Sequence, residues 1–227
     1  MSDREQLIDQ TTSGVNALGL SLSAGQIKQL VAYLLAMLDE NTRINVTAIR
    51  DAEDAVRLHL LDSLTVVTWW QSLGHTNPPE TILDLGTGGG FPAAPLAIAW
   101  PKSKVVAIDG TRKKIGVVER CAEAAGIKNL TGVHTRGSDY KPPATIGAEG
   151  FELVTARAVG YSAKLLREVY RLVRPDGWVC LMKGPDPTPE ELRAAERFCV
   201  QKKMHAEPVY SITVPGLDAR TILGFRK

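Results

Sequence analysis

The residues best placed to do chemistry lie in Asp84-Leu-Gly-Thr-Gly-Gly-Gly-Phe-Pro92 and in Asp109, which ends the run Val105-Val-Ala-Ile-Asp109. The first is an acid followed by Gly86, Gly88 and Gly90 at alternate positions. Glycine lets a backbone approach a ligand closely and take positive φ. Two ligands fit such a turn. A dinucleotide site asks for G-x-G-x-x-G/A, which Gly88-Gly-Gly-Phe-Pro-Ala93 satisfies. An S-adenosylmethionine site asks for an acid and then three alternating glycines, which Asp84 to Gly90 satisfies. Asp84 decides between them, because a carboxylate at the turn repels a pyrophosphate but attracts the methionyl ammonium. Asp109, at the tip of the next strand, then accepts from both ribose hydroxyls. S-adenosylmethionine is the expected cofactor.

These residues need a strand, a turn and a helix to carry them, and the chain supplies the pattern repeatedly. Strands are expected near 81–86, 104–109, 130–134, 151–156 and 178–183. Helices are expected near 91–100, 112–125, 161–174 and 188–203. Such alternation implies parallel strands joined by right-handed crossovers, with ligands at the carboxyl ends of the strands. Pro92 and Pro95 suit the first turn of the helix after the glycines. The tail departs from the alternation. Residues 208–214 and 221–225 flank Pro215-Gly216 and predict an antiparallel hairpin closing the sheet. The fold class is therefore α/β, a class I S-adenosylmethionine-dependent methyltransferase: a Rossmann-like, mostly parallel sheet with an antiparallel C-terminal hairpin.

Before the first strand the chain reads helical. Ser23-Ala-Gly-Gln26 is a capping-box pattern, with Ile27, Leu30, Val31, Leu34, Leu35 and Leu38 at helical spacing after it. Asp51 can cap a second helix to about Trp70, carrying Val56, Leu60, Leu64 and Val67 inward. Gly74-His-Thr-Asn-Pro-Pro79 breaks the chain. The expected division is a helical cap over 1–75 and a methyltransferase domain over 76–227.

The bulk numbers exclude more than they assign. The 227 residues are 44% hydrophobic and 23% charged, an ordinary globular balance. No apolar run is long enough to span a bilayer, and the start Met-Ser-Asp-Arg-Glu-Gln has no apolar signal core. Cys121, Cys180 and Cys199 are odd in number and scattered, against a disulfide framework or a zinc cluster. The expectation is a cytoplasmic monomer without metal or membrane attachment. A net charge of +2 means that any nucleic-acid footprint must be local.

Several methyl-transfer chemistries fail on their motifs. No Asn/Asp-Pro-Pro-Tyr follows the fourth strand, against methylation of an exocyclic base amine. Cys180 lies inside a strand without a Pro-Cys pair, against a cytosine C5 nucleophile. Other elements are more specific: Asn45-Val-Thr-Ala-Ile49, His59-Leu-Leu-Asp-Ser63, the glycine turn through Pro92, Ala156-Arg157-Ala158 and Lys183-Gly184. In order and spacing the chain resembles the RsmG (GidB) family from about residue 20 to its C-terminus. The resemblance implies a bacterial enzyme that methylates N7 of one guanine in 16S ribosomal RNA of the small subunit. It implies cofactor contacts from Gly86, Phe91, Asp109, Gly137, Ser138 and Arg157, beside the turn residues Asp84, Gly88 and Gly90. The chain departs from the family pattern at Leu58, where arginine is usual before the histidine, at Gly110, where serine follows the ribose acid, and at Ser138, where an acid is frequent. Guanine N7 carries a lone pair and no proton, so the reaction asks for positioning rather than a general base. A small-molecule methyltransferase and a non-catalytic ribosome-assembly factor are the rival readings.

Arg157 and Lys183 end strands at the reacting edge and are the candidate catalytic residues. Asn45 and Thr47 are turn residues or RNA contacts; His59 is a structural hydrogen bonder or an RNA contact. Arg112-Lys-Lys114 opens a helix, where cations oppose the dipole by a few tenths of a kcal/mol each, and a phosphate would explain them. Lys164, Arg167, Arg171 and Arg174 form a basic stripe along one helix, read as a solvated face.

Overall fold

The structure, a computed structural model, describes residues 3–143, 149–157, 160–184 and 187–227. Ala158 of the quoted motif lies outside them. Two helices, α1 (Asp3–Ala17) and α2 (Ala24–Asn41), come first. The capping box at the start of α2 is formed as the sequence indicates, with Ser23 and Gln26 satisfying each other's free amides. A long helix follows in three parts. Asp51 caps α3 (Ala52–Ala55), the chain winds as a π-helix over Val56–Leu61, and α4 (Asp62–Ser72) completes it.

The remaining elements alternate. They are β1 (Thr81–Leu85), α5 (Ala93–Ala99), β2 (Lys104–Asp109), α6 (Arg112–Ala124), β3 (Leu130–His134), β4 (Phe151–Arg157), α7 (Ser162–Val169), β5 (Val173–Lys183), α8 (Pro189–Lys202), β6 (His205–Ala206), β7 (Tyr210–Ile212) and β8 (Arg220–Arg226). The sheet order is β3-β2-β1-β4-β5-β8-β6, with β7 also on β8. The first five strands are parallel. Strand β8 runs antiparallel to β5 from Trp178↔Arg226 to Lys183↔Thr221. The expected hairpin is present as β7 and β8, but β8 lies inside the sheet and β6 is an additional strand.

Side chains alternate across each strand and both faces are covered. Ile82, Val105, Leu153 and Met182 pack with α1, α2, the long helix and α5. Leu83, Val106, Val154 and Leu181 pack with α7 and α8 on the other face. One core thus joins the N-terminal helices to the sheet. Cys121, Cys180 and Cys199 are buried and free, in keeping with structural thiols.

The helix expected to reach residue 174 stops at Val169, with a 3-10 turn over Tyr170–Leu172. The cause is Pro175, which disfavours the helical region for Arg174 before it, so Val173 already pairs with Phe151 in the sheet. The four-cation stripe therefore does not exist as one helix face. Arg174 pairs with Glu152 at 3.0 Å, and Arg171 turns to the loop after β3.

Candidate active site

The glycine turn sits at the carboxyl end of β1. Gly86, Gly88 and Gly90 have φ of 72°, 58° and 91°, so each needs glycine. Their surroundings differ. A β-carbon on Gly88 would meet nothing within 4 Å, whereas one on Gly90 would lie 1.8 Å from Tyr33 Oη of α2. Gly90 therefore allows a helix to pack against the turn, and Tyr33 Oη donates to the Gly89 carbonyl at 3.0 Å. Gly90, an expected cofactor residue, thus packs against α2.

Asp84 and Phe91 are buried beside the turn. Asp84 is fully buried. It accepts from Thr155 Oγ1 at 3.0 Å and from the Ala93 amide at the start of α5 at 3.3 Å. Burial lifts its carboxyl to about 6, against the hydrogen bonds and the Arg157 charge that pull it down. The anion welcomed by that helix start is this side chain, which ties β1, β4 and α5 together beneath the turn. Phe91 is also buried, stacked on the His59 ring at 4.6 Å and edge-on to Tyr33.

A cleft of about 630 Å³ opens beside the turn, lined by Gly86, Asp109, Gly110, Arg136, Gly137, Ser138 and residues of α7. Asp109 Oδ2 accepts from the Gly88 amide at 3.1 Å and Oδ1 from the Thr111 amide at 2.8 Å. A carboxylate offers about four acceptor positions, so two stay available for a pair of hydroxyls. Arg171 donates to the carbonyls of Gly137 and Ser138 from the other side, fixing that loop. A β-carbon on Gly137 would lie 2.4 Å from Glu168 Oε1 and 2.6 Å from Leu85 Cδ1. The donor set and the open Gly88 suit a nucleoside with vicinal hydroxyls.

A second cleft, about 490 Å³, lies at the ends of β4 and β5, walled by Leu58, His59, Asp62, Arg157, Lys183 and Arg220 among others. Arg157 belongs here and not to the first cleft. Its Nη1 donates to the Leu58 carbonyl at 2.9 Å and to Asp62 Oδ2 at 3.0 Å, and its guanidinium lies 5.6 Å from the Phe91 ring. Arg220 Nε donates to Asp62 Oδ1 at 3.0 Å. Lys183 donates to the Gly160 carbonyl and pairs with Glu191 at 2.6 Å. His59 is buried between Phe91, Thr47 and Arg157; burial first, then the Arg157 charge, lower its pKa to about 3, so the ring is neutral.

The family model for rRNA small subunit methyltransferase G, GidB, matches residues 26–217. The chain belongs to this family. Relatives named Ribosomal RNA small subunit methyltransferase G include those of Chloroflexus aggregans, 34% identical over 96% of this chain and 88% of that one, and of Methylobacillus flagellatus, 36% identical over 94% of each. Among solved structures, an S-adenosylmethionine-dependent methyltransferase from Aquifex aeolicus superposes with a TM-score of 0.54 at 20% identity, covering 75% of this chain and 92% of that one. A putative RNA methyltransferase from Pyrococcus horikoshii gives 0.54 at 13% identity, covering 78% and 86%. At these identities the structures speak for the class I methyltransferase fold, and membership of the GidB family makes the chain an S-adenosylmethionine-dependent rRNA methyltransferase.

Within that family frame the candidate RNA residues separate. Asn45 is exposed. Thr47 faces inward, with Oγ1 3.0 Å from His59 Nε2 and accepting from the Ile49 amide. Buried Asn41 shapes their loop, accepting from the Val46 and Thr47 amides and donating to the Thr47 carbonyl. Arg112 and Lys113 are exposed and Lys114 half-buried at the start of α6, which has no side-chain cap and no acid in its first turn. Sequence reasoning missed Asp62 and Arg220. Asp62 stands inside the quoted His59–Ser63 motif and could have been marked; Arg220, the first residue of β8, is a lone cation just before the expected strand and carries no signal.

Proposed function

We propose that the protein methylates N7 of a guanine in 16S ribosomal RNA. S-adenosylmethionine, when bound, supplies an electrophilic sulfonium methyl. Asp109 receives the ribose hydroxyls, and Gly86, Gly88, Gly137 and Ser138 form the walls around it. The second cleft takes the guanine, with Arg157 and Lys183 at its floor. The helices before residue 76 act as a substrate cap, because Leu58, His59 and Asp62 are theirs. Asn45, Arg112, Lys113 and Lys114 meet the RNA backbone.

One observation carries the choice of N7. Among its described residues the second cleft holds no free base. Both Asp62 oxygens are held by arginines, and both His59 ring nitrogens have partners. An exocyclic amine or a hydroxyl would have to lose a proton during transfer; N7 has none to lose. Its lone pair forms the new N–C bond while the S–C pair stays on sulfur, and the positive charge passes to the guanine.

The test is incubation with labelled cofactor and 16S RNA lacking the modification, as naked RNA and as assembled subunit. A cationic N7-methylguanine is cleaved by borohydride followed by aniline, so one new cleavage should depend on both protein and cofactor. Replacing that guanine with 7-deazaguanine should abolish uptake. Uptake by the 7-deaza substrate would identify another acceptor atom, and no uptake on any RNA form would favour a small-molecule substrate.

A further inference from the structure

In a regular helix the Leu58 carbonyl would accept from the amide of Asp62, four residues on. Here Val56–Leu61 is wound as a π-helix, and the Asp62 N–H donates to the carbonyls of Arg57 and His59 instead. The Leu58 carbonyl does not receive the Asp62 amide, and it accepts from Arg157 Nη1. The same nitrogen donates to Asp62 Oδ2, and Nη2 lies 3.3 Å from His59 Nδ1. Three neighbouring residues of one helix turn thus receive one guanidinium.

The proton positions follow. Arginine has only donors, so His59 Nδ1 is the acceptor, and the ring proton sits on Nε2, where it donates to Thr47 Oγ1. A guanidinium carries five N–H groups. Leu58, Asp62 and His59 engage three of them. The Nε–H and one Nη2–H keep no partner among the described residues, and Arg157 lines the second cleft. Arg220 holds the other oxygen of Asp62, so the carboxylate cannot swing away to solvent.

Resting on the reading of the second cleft as the place of the target guanine, we infer that the π-wound turn, with His59 and Asp62, is a receptor that positions Arg157 and leaves its two remaining donors for an oxygen acceptor on the substrate nucleotide. His59 and Asp62 act through Arg157. The π-turn has a purpose on this account, since a π-bulge is a rare departure that recurs at functional sites, and straightening it would give the Leu58 carbonyl the Asp62 amide.

Two conservative variants of His59 separate this role from packing or a grip on the Asn45–Ile49 loop. In His59→Asn the amide oxygen can stand near the Nδ1 position and accept from Arg157. In His59→Gln the amide nitrogen can stand near Nε2 and donate to Thr47. The expected order is a kcat for Asn about tenfold or more above that for Gln, with KM for RNA unchanged in both, because mispositioning costs rate. The reverse order, or equal losses, would overturn the inference. The second measurement needs no turnover. In protein labelled with 15N-histidine, the His59 Nδ1 resonance of an unprotonated, hydrogen-bonded nitrogen should move towards its free position in Arg157→Met, and a resonance that stays in place would also overturn it. A moved resonance with undiminished methyl uptake would uphold the receptor and remove the guanine from the second cleft.

Discussion

Replacing Asp109 tests the first cleft most directly. The carboxylate spends one position on each of two amides, at 3.1 Å from Gly88 and 2.8 Å from Thr111, which leaves one per oxygen for the two ribose hydroxyls. Hydrogen bonds to a charged group contribute about 1.5–3 kcal/mol each, so removing both weakens binding by about 3–6 kcal/mol, or two to four powers of ten in Kd. Asp109→Ala should lose that whole amount. It also releases the Gly88 amide, so part of the loss arises from a less ordered turn. Asp109→Asn keeps one oxygen, which can serve one amide and one hydroxyl, while its NH₂ can accept from neither partner of the other; about half the loss is expected. Calorimetric titration with S-adenosylmethionine gives both values, and circular dichroism checks that the fold persists. Unchanged affinity in a folded Asp109→Ala protein would refute the assignment of the ribose to this cleft.

Three further outcomes follow. Asp84 is protonated at about 6 in the fold against an ordinary 3.8; the native state then binds more protons than the unfolded state between these values, so this residue's contribution lowers stability as pH rises from about 4 to 6, by about 3 kcal/mol in all. Asp84→Asn should remove that component, seen as a changed slope of unfolding free energy against pH, and an identical slope would show the carboxylate to be ordinary. Gly90→Ala, with φ of 91° and a β-carbon 1.8 Å from Tyr33 Oη, should lose about 2–5 kcal/mol by denaturant unfolding; a loss below about 1 kcal/mol would mean that α2 yields easily. Neutralising Arg112, Lys113 and Lys114 together should reduce the slope of log affinity for RNA against log salt by about two to three at unchanged cofactor affinity, and an unaltered slope would return them to a solvated face.

The parts of this fold that can be read along the chain are those set by short-range rules. Alternation of strand and helix, the Ser23–Gln26 box and the glycine turn each depend on neighbours within a few residues, and the structure contains all of them. Asp84 shows where such rules stop. Its place before the glycines suggests contact with a ligand, but whether a carboxylate at the end of a strand faces outward or under the turn depends on Thr155, from a strand distant in sequence. Arg171 and Arg174 were assigned to one helix face because their spacing allows it; Pro175 ends the helix, and one then clamps the Gly137–Ser138 loop while the other pairs with Glu152. The π-winding at Val56–Leu61 leaves no compositional trace, since the same residues would form an ordinary helix. Arg220 meets Asp62 only because β8 lies beside β5 and brings its first residue to the second cleft.

This division explains how a chain with a net charge of only +2 can address RNA. Two sets of its cations matter here. Arg157, Arg220, Lys183, Arg120 and Arg174 face carboxylates and join elements distant in sequence; their charge is cancelled locally and adds little to the outer field. Arg112, Lys113, Lys114, Arg136, Lys164 and Arg167 have no ion pair among the described residues. Arg136, Lys164 and Arg167 line the first cleft, and Gly110 at its edge leads directly into α6, whose first three residues are the other cations. These six cations therefore gather around the first cleft and its rim although the total charge is small, and it is the placement of charge that steers a polyanion. A phosphate backbone drawn to that rim would lie across the mouth of the cofactor cleft, with the second cleft close by at the ends of β4 and β5. On the proposed reading, Arg157, Arg220 and Lys183 hold the second cleft rigid while the six unpaired cations bring the RNA to it, and exchanging the two sets by mutation should not be tolerated.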